Sequence, residues 1–149
     1  MRTEEPPVTP GGAPSTTEEL PFFVYGTLRP GAYNHDRYLL GRTGTEDDAV
    51  LPGAVLRDGP GYPYVVPGEG RVAGSLVTAA PGSYGELLGV LDAMELPAGY
   101  ERTAREALRT RDGAAVRAWV YVAAPGAPLG PRIASGDWFR RVPGGPRTP

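Results

Sequence analysis

The sequence predicts an α+β fold built on a mixed, barrel-like sheet. Three observations predict it: a continuous apolar run from Leu20 to Tyr25 that ends in Gly26, several short β-branched stretches on either side of the chain's middle, and one principal helical stretch after Pro81-Gly82.

Taken in order, Leu20 to Tyr25 shows no polar alternation, which predicts a central strand buried on both faces and delivering its last residues into a loop. Ala49 to Arg57, Tyr64 to Val66 and Arg71 to Val77 predict three separate strands, because Gly or Pro stands between each pair. Leu87, Leu88, Leu91 and Met94 then recur at three- and four-residue spacing, the period of a helix with one apolar face, and Pro97 is expected to stop it. Thr103 to Thr110 and Ala115 to Val122 predict two more strands, with Asp112-Gly113 as the hairpin turn between them. From Ala123 to Pro131 the density of Pro and Gly forbids regular structure. Met1 to Glu19 is Pro, Gly, Ser, Thr and Glu with almost no large apolar residue, so it is expected to be a disordered tail; residues 142–149 are expected to be a second. One domain over residues 20–141 remains, without internal repeats.

Composition narrows the chemistry. The chain has 149 residues, a net charge of −2 and scattered arginines, which argues for a small-molecule partner and against nucleic acid, whose phosphates require a clustered basic surface. It has no cysteine, which removes thiol nucleophiles, thiolate metal sites and disulfides. All 15 basic residues are Arg, so no lysine can form a Schiff base or complete a P-loop. A single His, at position 35, cannot build a multi-histidine metal site; neither metal nor cofactor is expected, and acid/base work falls to a carboxylate. No apolar run reaches membrane-spanning length and the N-terminus lacks signal-peptide order, so the expectation is no membrane association and cytoplasmic residence.

Two segments can carry chemistry. Tyr25-Gly-Thr-Leu-Arg-Pro-Gly31 follows the first strand, and a Gly-containing turn there either aims backbone N–H groups into an anion-binding nest or is an ordinary strand-to-turn junction. In Leu88-Gly-Val-Leu-Asp-Ala-Met-Glu95, Glu95 stands four residues after Leu91 and seven after Leu88, on the stripe that faces the core. A carboxylate there has a raised pKa unless it is paired; the competing reading bends it out to water or pairs it with Arg102 or Arg105. Asp92 lies three residues earlier and is read as a hydrogen-bonding anchor for the loop after the strand in preference to half of a metal site. Tyr62-Pro-Tyr64 and Tyr100-Glu-Arg102 supply aromatic rings for a pocket wall or a small core, Ser135-Gly-Asp-Trp138 docks the C-terminal end onto the body, and Asn34-His35 reads as locally hydrogen-bonded.

These motifs, in this order, resemble the γ-glutamylcyclotransferase-like (AIG2-like) family: Phe23-Val-Tyr-Gly-Thr-Leu-Arg-Pro-Gly31, Gly61-Tyr-Pro63, Arg71-Val-Ala-Gly-Ser-Leu76, Leu91-Asp-Ala-Met-Glu95 and Tyr100-Glu-Arg102, with Asn34-His35 and Ser135-Gly-Asp-Trp138 also fitting. One departure is Leu96-Pro97 directly after the glutamate, where the family often has Gly. The resemblance implies a compact mixed β-barrel flanked by helices, with Glu95 as catalytic acid/base and the loop of Tyr25, Gly26, Thr27 and Leu28 binding substrate; Tyr100 is a further candidate substrate contact, its hydroxyl or else backbone N–H groups steadying an oxyanion. It implies an enzyme that cyclises a γ-glutamyl group to 5-oxoproline and releases an amine or amino acid, without cofactor or metal. It leaves open whether that group is borne by a small molecule, a carrier protein or a lysine side-chain amine. The alternative is a non-catalytic AIG2-like module that binds a carboxylate ligand or protein partner.

Deleting Met1 to Glu19 is expected to leave the melting temperature and activity nearly unchanged, since that segment has almost no large apolar side chain to dock. A thermal melt of the shortened chain tests the boundary, and a fall of many degrees overturns it.

Overall fold

The computed structural model describes residues 19–29, 39 and 41–141. Asn34-His35 and almost all of both predicted tails lie outside the described residues. The elements are β1 (Phe22–Val24), β2 (Thr43–Arg57), β3 (Tyr64–Ala79), α1 (Tyr84–Glu95), β4 (Tyr100–Arg109) and β5 (Ala115–Ala123), with short 3-10 turns at Leu96–Ala98 and Trp138–Arg140.

The five strands close into a barrel in the order β1-β3-β2-β4-β5. β1 is the strand that closes it, antiparallel to β3 on one side and parallel to β5 on the other, with Phe23 opposite Leu76 and Val120. That double pairing is why its sequence reads as an unbroken apolar run: Phe22, Phe23 and Val24 are all buried. The parallel β1–β5 pair makes the sheet mixed, as expected. β3 passes so near β1 that a Cβ on Gly74 would meet the Val24 carbonyl oxygen and lie 2.7 Å from the Phe23 ring, which accounts for glycine within an otherwise β-forming stretch.

The three strands expected between Ala49 and Val77 are two long ones. β2 and β3 pair from Thr43↔Ala79 to Arg57↔Tyr64 around a tip at residues 58–63. Pro and Gly do not end them, because the register jumps there: Pro52 faces Arg71 while Ala54 faces Pro67, and the bulge lets the chain bend through Gly53 at a φ of 70°. Pro52, Gly53, Pro67 and Gly68 are all exposed, where a missing N–H leaves no buried acceptor unpaired.

The expected helix is present as α1. Leu87 and Leu91 are fully buried, while Leu88 and Met94 pack half-buried against the same core. Glu86 in its first turn pairs with Arg42 at 3.0 Å. The α-helix ends at Glu95, just before Pro97, as expected; the chain then tightens into the 3-10 turn Leu96–Ala98, whose early positions need no N–H, and Gly99 ends it in the left-handed region at a φ of 97°. β4 and β5 form the expected hairpin across Asp112-Gly113, with β4 beginning three residues before the predicted Thr103. After β5 the chain runs irregularly across the barrel, bonding to β2 through Ile133 N–H to the Leu56 carbonyl at 2.8 Å, and ends with Trp138 buried. No helix among the described residues is long and apolar enough to cross a membrane.

Candidate active site

The loop after β1, the end of α1 and the start of β4 enclose a cavity of about 300 Å³. Its wall includes Tyr25, Gly26, Thr27, Leu28, Glu95 and Tyr100, so the six residues singled out in the sequence are brought together in one place. Phe23, Val24, Tyr62, Pro63, Met94, Ala98 and Tyr121 complete the lining.

Glu95 is the last residue of α1, one turn after Leu91 and two after Leu87, and this phase turns it inward beside the cavity. It is half-buried, and desolvation of the charged form pushes its pKa from 4.5 up to about 7. Neither Arg102 nor Arg105 pairs with it. Arg102 is taken by Asp92, whose two carboxylate oxygens accept from Nε at 2.9 Å and Nη2 at 3.2 Å, and Arg102 also lies over the Trp119 ring at 4.3 Å. The Tyr121 hydroxyl donates to Asp92 as well, at 2.6 Å. Asp92 is therefore a hydrogen-bonding anchor, but among the described residues it ties α1 to β4 and β5 and makes no bond to the loop after β1 for which it was expected, and no cation among them opposes the burial of Glu95. The Leu96-Pro97 departure does not disturb the carboxylate's backbone, since Glu95 and Leu96 both remain helical.

The tyrosines serve mainly as struts. Tyr25 donates to the Tyr121 carbonyl at 2.6 Å, Tyr100 to the Pro63 carbonyl at 2.5 Å, and Tyr64 to the Ala98 carbonyl at 2.6 Å. Tyr64 and Tyr100 stack at 4.6 Å, so the β3 start and the β4 start hold one another and fix the turn that follows Glu95. Burial pushes the Tyr25, Tyr100 and Tyr121 hydroxyls well above the usual phenol range, which keeps their protons in these bonds. Tyr100 thus faces the cavity with a hydroxyl proton already committed, a poor donor to any developing oxyanion.

Gly26 begins the loop, and its carbonyl accepts the Arg29 N–H at 3.1 Å, which closes the turn over Thr27 and Leu28. Its φ lies outside the left-handed region, so conformational freedom is not why glycine stands here. The reason is space: a Cβ would sit 2.8 Å from two ring carbons of Pro63. Sequence reasoning misses Tyr121 because β5 is buried on successive residues from Val120 to Val122 and offers no alternation to single it out. Tyr62 and Pro63 take the pocket-wall reading, while Tyr64 takes the core one, fully buried.

The profile of the family described as gamma-glutamyl cyclotransferase, AIG2-like, matches residues 22–140. A Vibrio cholerae protein named "Putative gamma-glutamylcyclotransferase" is 34% identical over 125 residues, covering 80% of this chain and 96% of that protein. An uncharacterised protein from Pyrococcus horikoshii, known from its crystal structure, superposes with a TM-score of 0.59 at 28% identity, over 80% of this chain and 89% of that one. The crystal structure of a mouse AIG2-like protein superposes with a TM-score of 0.55 at 28% identity, over 73% and 80% of the two chains.

Two outcomes are expected from this geometry. Between pH 4.5 and about 7 the unfolded chain has released the Glu95 proton while the folded chain keeps it, so the stability due to this group is complete below pH 4.5 and is lost as pH rises through about 7. The loss is up to about 3 kcal/mol, less what cavity water restores. Urea midpoints of the parent and Glu95→Gln should therefore diverge in favour of the variant over that window and run parallel above it; parallel curves throughout would place the carboxylate in water. Gly26→Val should push Pro63 aside and weaken ligand affinity at least about tenfold, with a loss of stability of about 1–3 kcal/mol from overpacking. Calorimetric titration checks the first, and unchanged affinity removes the loop from the binding site.

Proposed function

The chain belongs to the gamma-glutamyl cyclotransferase, AIG2-like family, and on that premise we propose that it cyclises a γ-glutamyl group to 5-oxoproline and releases the attached amine or amino acid, with Glu95 as acid/base. The observation that carries this reading is an inward carboxylate with no cationic partner among the described residues and a pKa of about 7, set in a cavity with the loop after β1. Such a group accepts and returns a proton near neutral pH with little driving force wasted either way.

In this mechanism the loop at Gly26 to Leu28 receives the substrate α-carboxylate through backbone N–H groups, which leaves the α-ammonium toward Glu95. Glu95 takes one ammonium proton. The freed amine attacks the γ-carbonyl carbon of the same molecule, a C–N bond forms, and the five-membered ring closes as a tetrahedral adduct. Collapse of the adduct breaks the bond to the leaving amine, which receives the proton from Glu95 and the second proton that the ring nitrogen sheds, so it departs as an ammonium ion, the carboxylate is restored and no water enters the balance. Because nucleophile and electrophile belong to one molecule, a cavity that holds the bent conformer supplies much of the acceleration; oriented intramolecular reactions reach effective molarities of roughly 10⁵ M or more. A cavity of about 300 Å³ is at the small end of ligand sites and suits a single glutamyl unit.

Incubating the protein with a panel of γ-glutamyl amines and γ-glutamyl amino acids and assaying 5-oxoproline tests the proposal. Stoichiometric binding without product would establish the non-catalytic module in its place. Glu95→Gln is expected to lower kcat by about 10⁴, the upper end for a general acid–base group because it serves both half-steps, with KM nearly unchanged. Asp92→Asn should lower activity together with melting temperature, through the loss of a charged partner for Arg102. Turnover of a folded Glu95→Gln within tenfold of the parent overturns the catalytic assignment.

A further inference from the structure

The turn that forms the cavity's loop ends at Arg29, whose side chain does not enter the cavity. It runs instead to the far end of the chain, where Nη1 donates to Asp137 Oδ1 at 2.7 Å, with only 11% and 18% of the two side chains exposed. The guanidinium also lies 4.1 Å above the Phe139 ring. Arg29 Nε is buried without a protein acceptor among the described residues.

The receiving end is rigid. Gly136 has a φ of 70°, and its carbonyl accepts the Ala73 N–H of β3 at 2.7 Å, while the next residue but one, Trp138, is buried. Asp137 Oδ1 also accepts the Phe139 N–H at 2.9 Å, and the Asp137 N–H donates to Ser135 Oγ at 3.2 Å. The carboxylate is thus fixed to a segment that is itself fixed to the barrel. At the other end of the loop, Tyr25 is held through its hydroxyl on the Tyr121 carbonyl. Gly26, Thr27 and Leu28 therefore lie between two anchors, Tyr25 and Arg29, and Arg29 additionally closes their turn through its N–H on the Gly26 carbonyl.

We propose that Arg29 and Asp137 are a positioning pair for the substrate loop, acting through the Gly26–Leu28 turn without touching the substrate. The inference rests on the cyclotransferase reading only for what the loop binds; the mechanical claim stands on the two anchors. Without the pair, the turn keeps its sequence but loses one fixed end, and the cavity wall it forms becomes one of several conformations, which lowers apparent affinity by the fraction of molecules in the competent one.

The test compares Arg29→Met, Arg29→Lys and Asp137→Ser. Serine keeps a cap for the Phe139 N–H, so it separates that structural duty from the ion pair. Amide hydrogen exchange is measured for the segment 25–29 and for α1, and kcat and KM are measured on whichever γ-glutamyl substrate the parent turns over. Arg29→Met and Asp137→Ser are expected to speed exchange in 25–29 with α1 protection unchanged, to raise KM about tenfold as a lost charged hydrogen bond would, and to leave kcat within about threefold. The double variant should be no worse than either single one, and Arg29→Lys should stay within about threefold of the parent in KM. Parental exchange in 25–29 for both disruptive variants overturns the proposal whether or not any substrate is found. So does a loss in kcat with KM unchanged, or an Arg29→Lys variant as impaired as Arg29→Met. A parent that forms no 5-oxoproline defeats the cyclotransferase reading, and the exchange data then decide the positioning pair alone.

Discussion

Asp92 settles where the charge in this molecule goes. It draws Arg102 from β4 and the Tyr121 hydroxyl from β5 onto the side of α1, and Tyr121 in turn offers its carbonyl to Tyr25 at the end of β1. Helix, hairpin and closing strand are thereby joined through one carboxylate. Arg102 and Tyr121 are cross-strand partners, so they project from the same face of the sheet and reach Asp92 together. Glu95, one helical turn on, has no cationic partner among the described residues, and the Arg102 guanidinium is engaged by Asp92. A buried carboxylate with a cation beside it would have a pKa pulled down; here desolvation raises the value to about 7.

The helix itself works in the same direction. Glu95 occupies the C-terminal residue of α1, where the unpaired carbonyls carry partial negative charge, and no basic residue lies in the last turn to offset it. An acid placed at that end, facing a mostly aromatic and aliphatic wall, is disfavoured as an anion by its environment on both counts. The tyrosines around it add polarity without adding charge, since their protons are held by backbone carbonyls at Pro63, Ala98 and Tyr121. The site therefore has one titrating group near neutral pH among its described residues.

Much of this is legible in the sequence where the signal is local. The period of Leu87, Leu91 and Glu95 places the carboxylate on the inner stripe without knowledge of any contact, and the unbroken apolar run of β1 announces a strand paired on both sides. Long-range choices are not legible. Whether Arg102 serves Asp92 or Glu95 depends on the register of β4 against β5, which no spacing within α1 reveals. Pro67 and Gly68 read as a strand end because they cannot be told from a solvent-exposed bulge without knowing what faces them. Gly26 reads as a conformational glycine in the sequence, and only the Pro63 ring 2.8 Å from its absent Cβ gives the steric reason. The grouping of the loop with Glu95 comes through family resemblance, since the barrel brings together residues some seventy positions apart.

The division of labour in the molecule separates rigidity from chemistry. Ion pairs and hydroxyl bonds lie behind the cavity, at Asp92 with Arg102 and at Asp137 with Arg29, while the described wall itself carries the single carboxylate. That arrangement suits a reaction in which substrate attacks itself. An enzyme that must activate its own nucleophile needs several charged groups at the reacting centre, and each must be desolvated and paired. Ring closure by an internal amine needs a mould that favours the bent conformer and one proton carrier whose charged and neutral forms are close in energy. Moving the strong charges one layer back gives the mould its stiffness, and keeps their fields from pulling the Glu95 pKa away from neutrality. A cation introduced into the wall would add binding energy for a carboxylate, yet at the same time it would hold Glu95 ionised and weaken it for the base role proposed above.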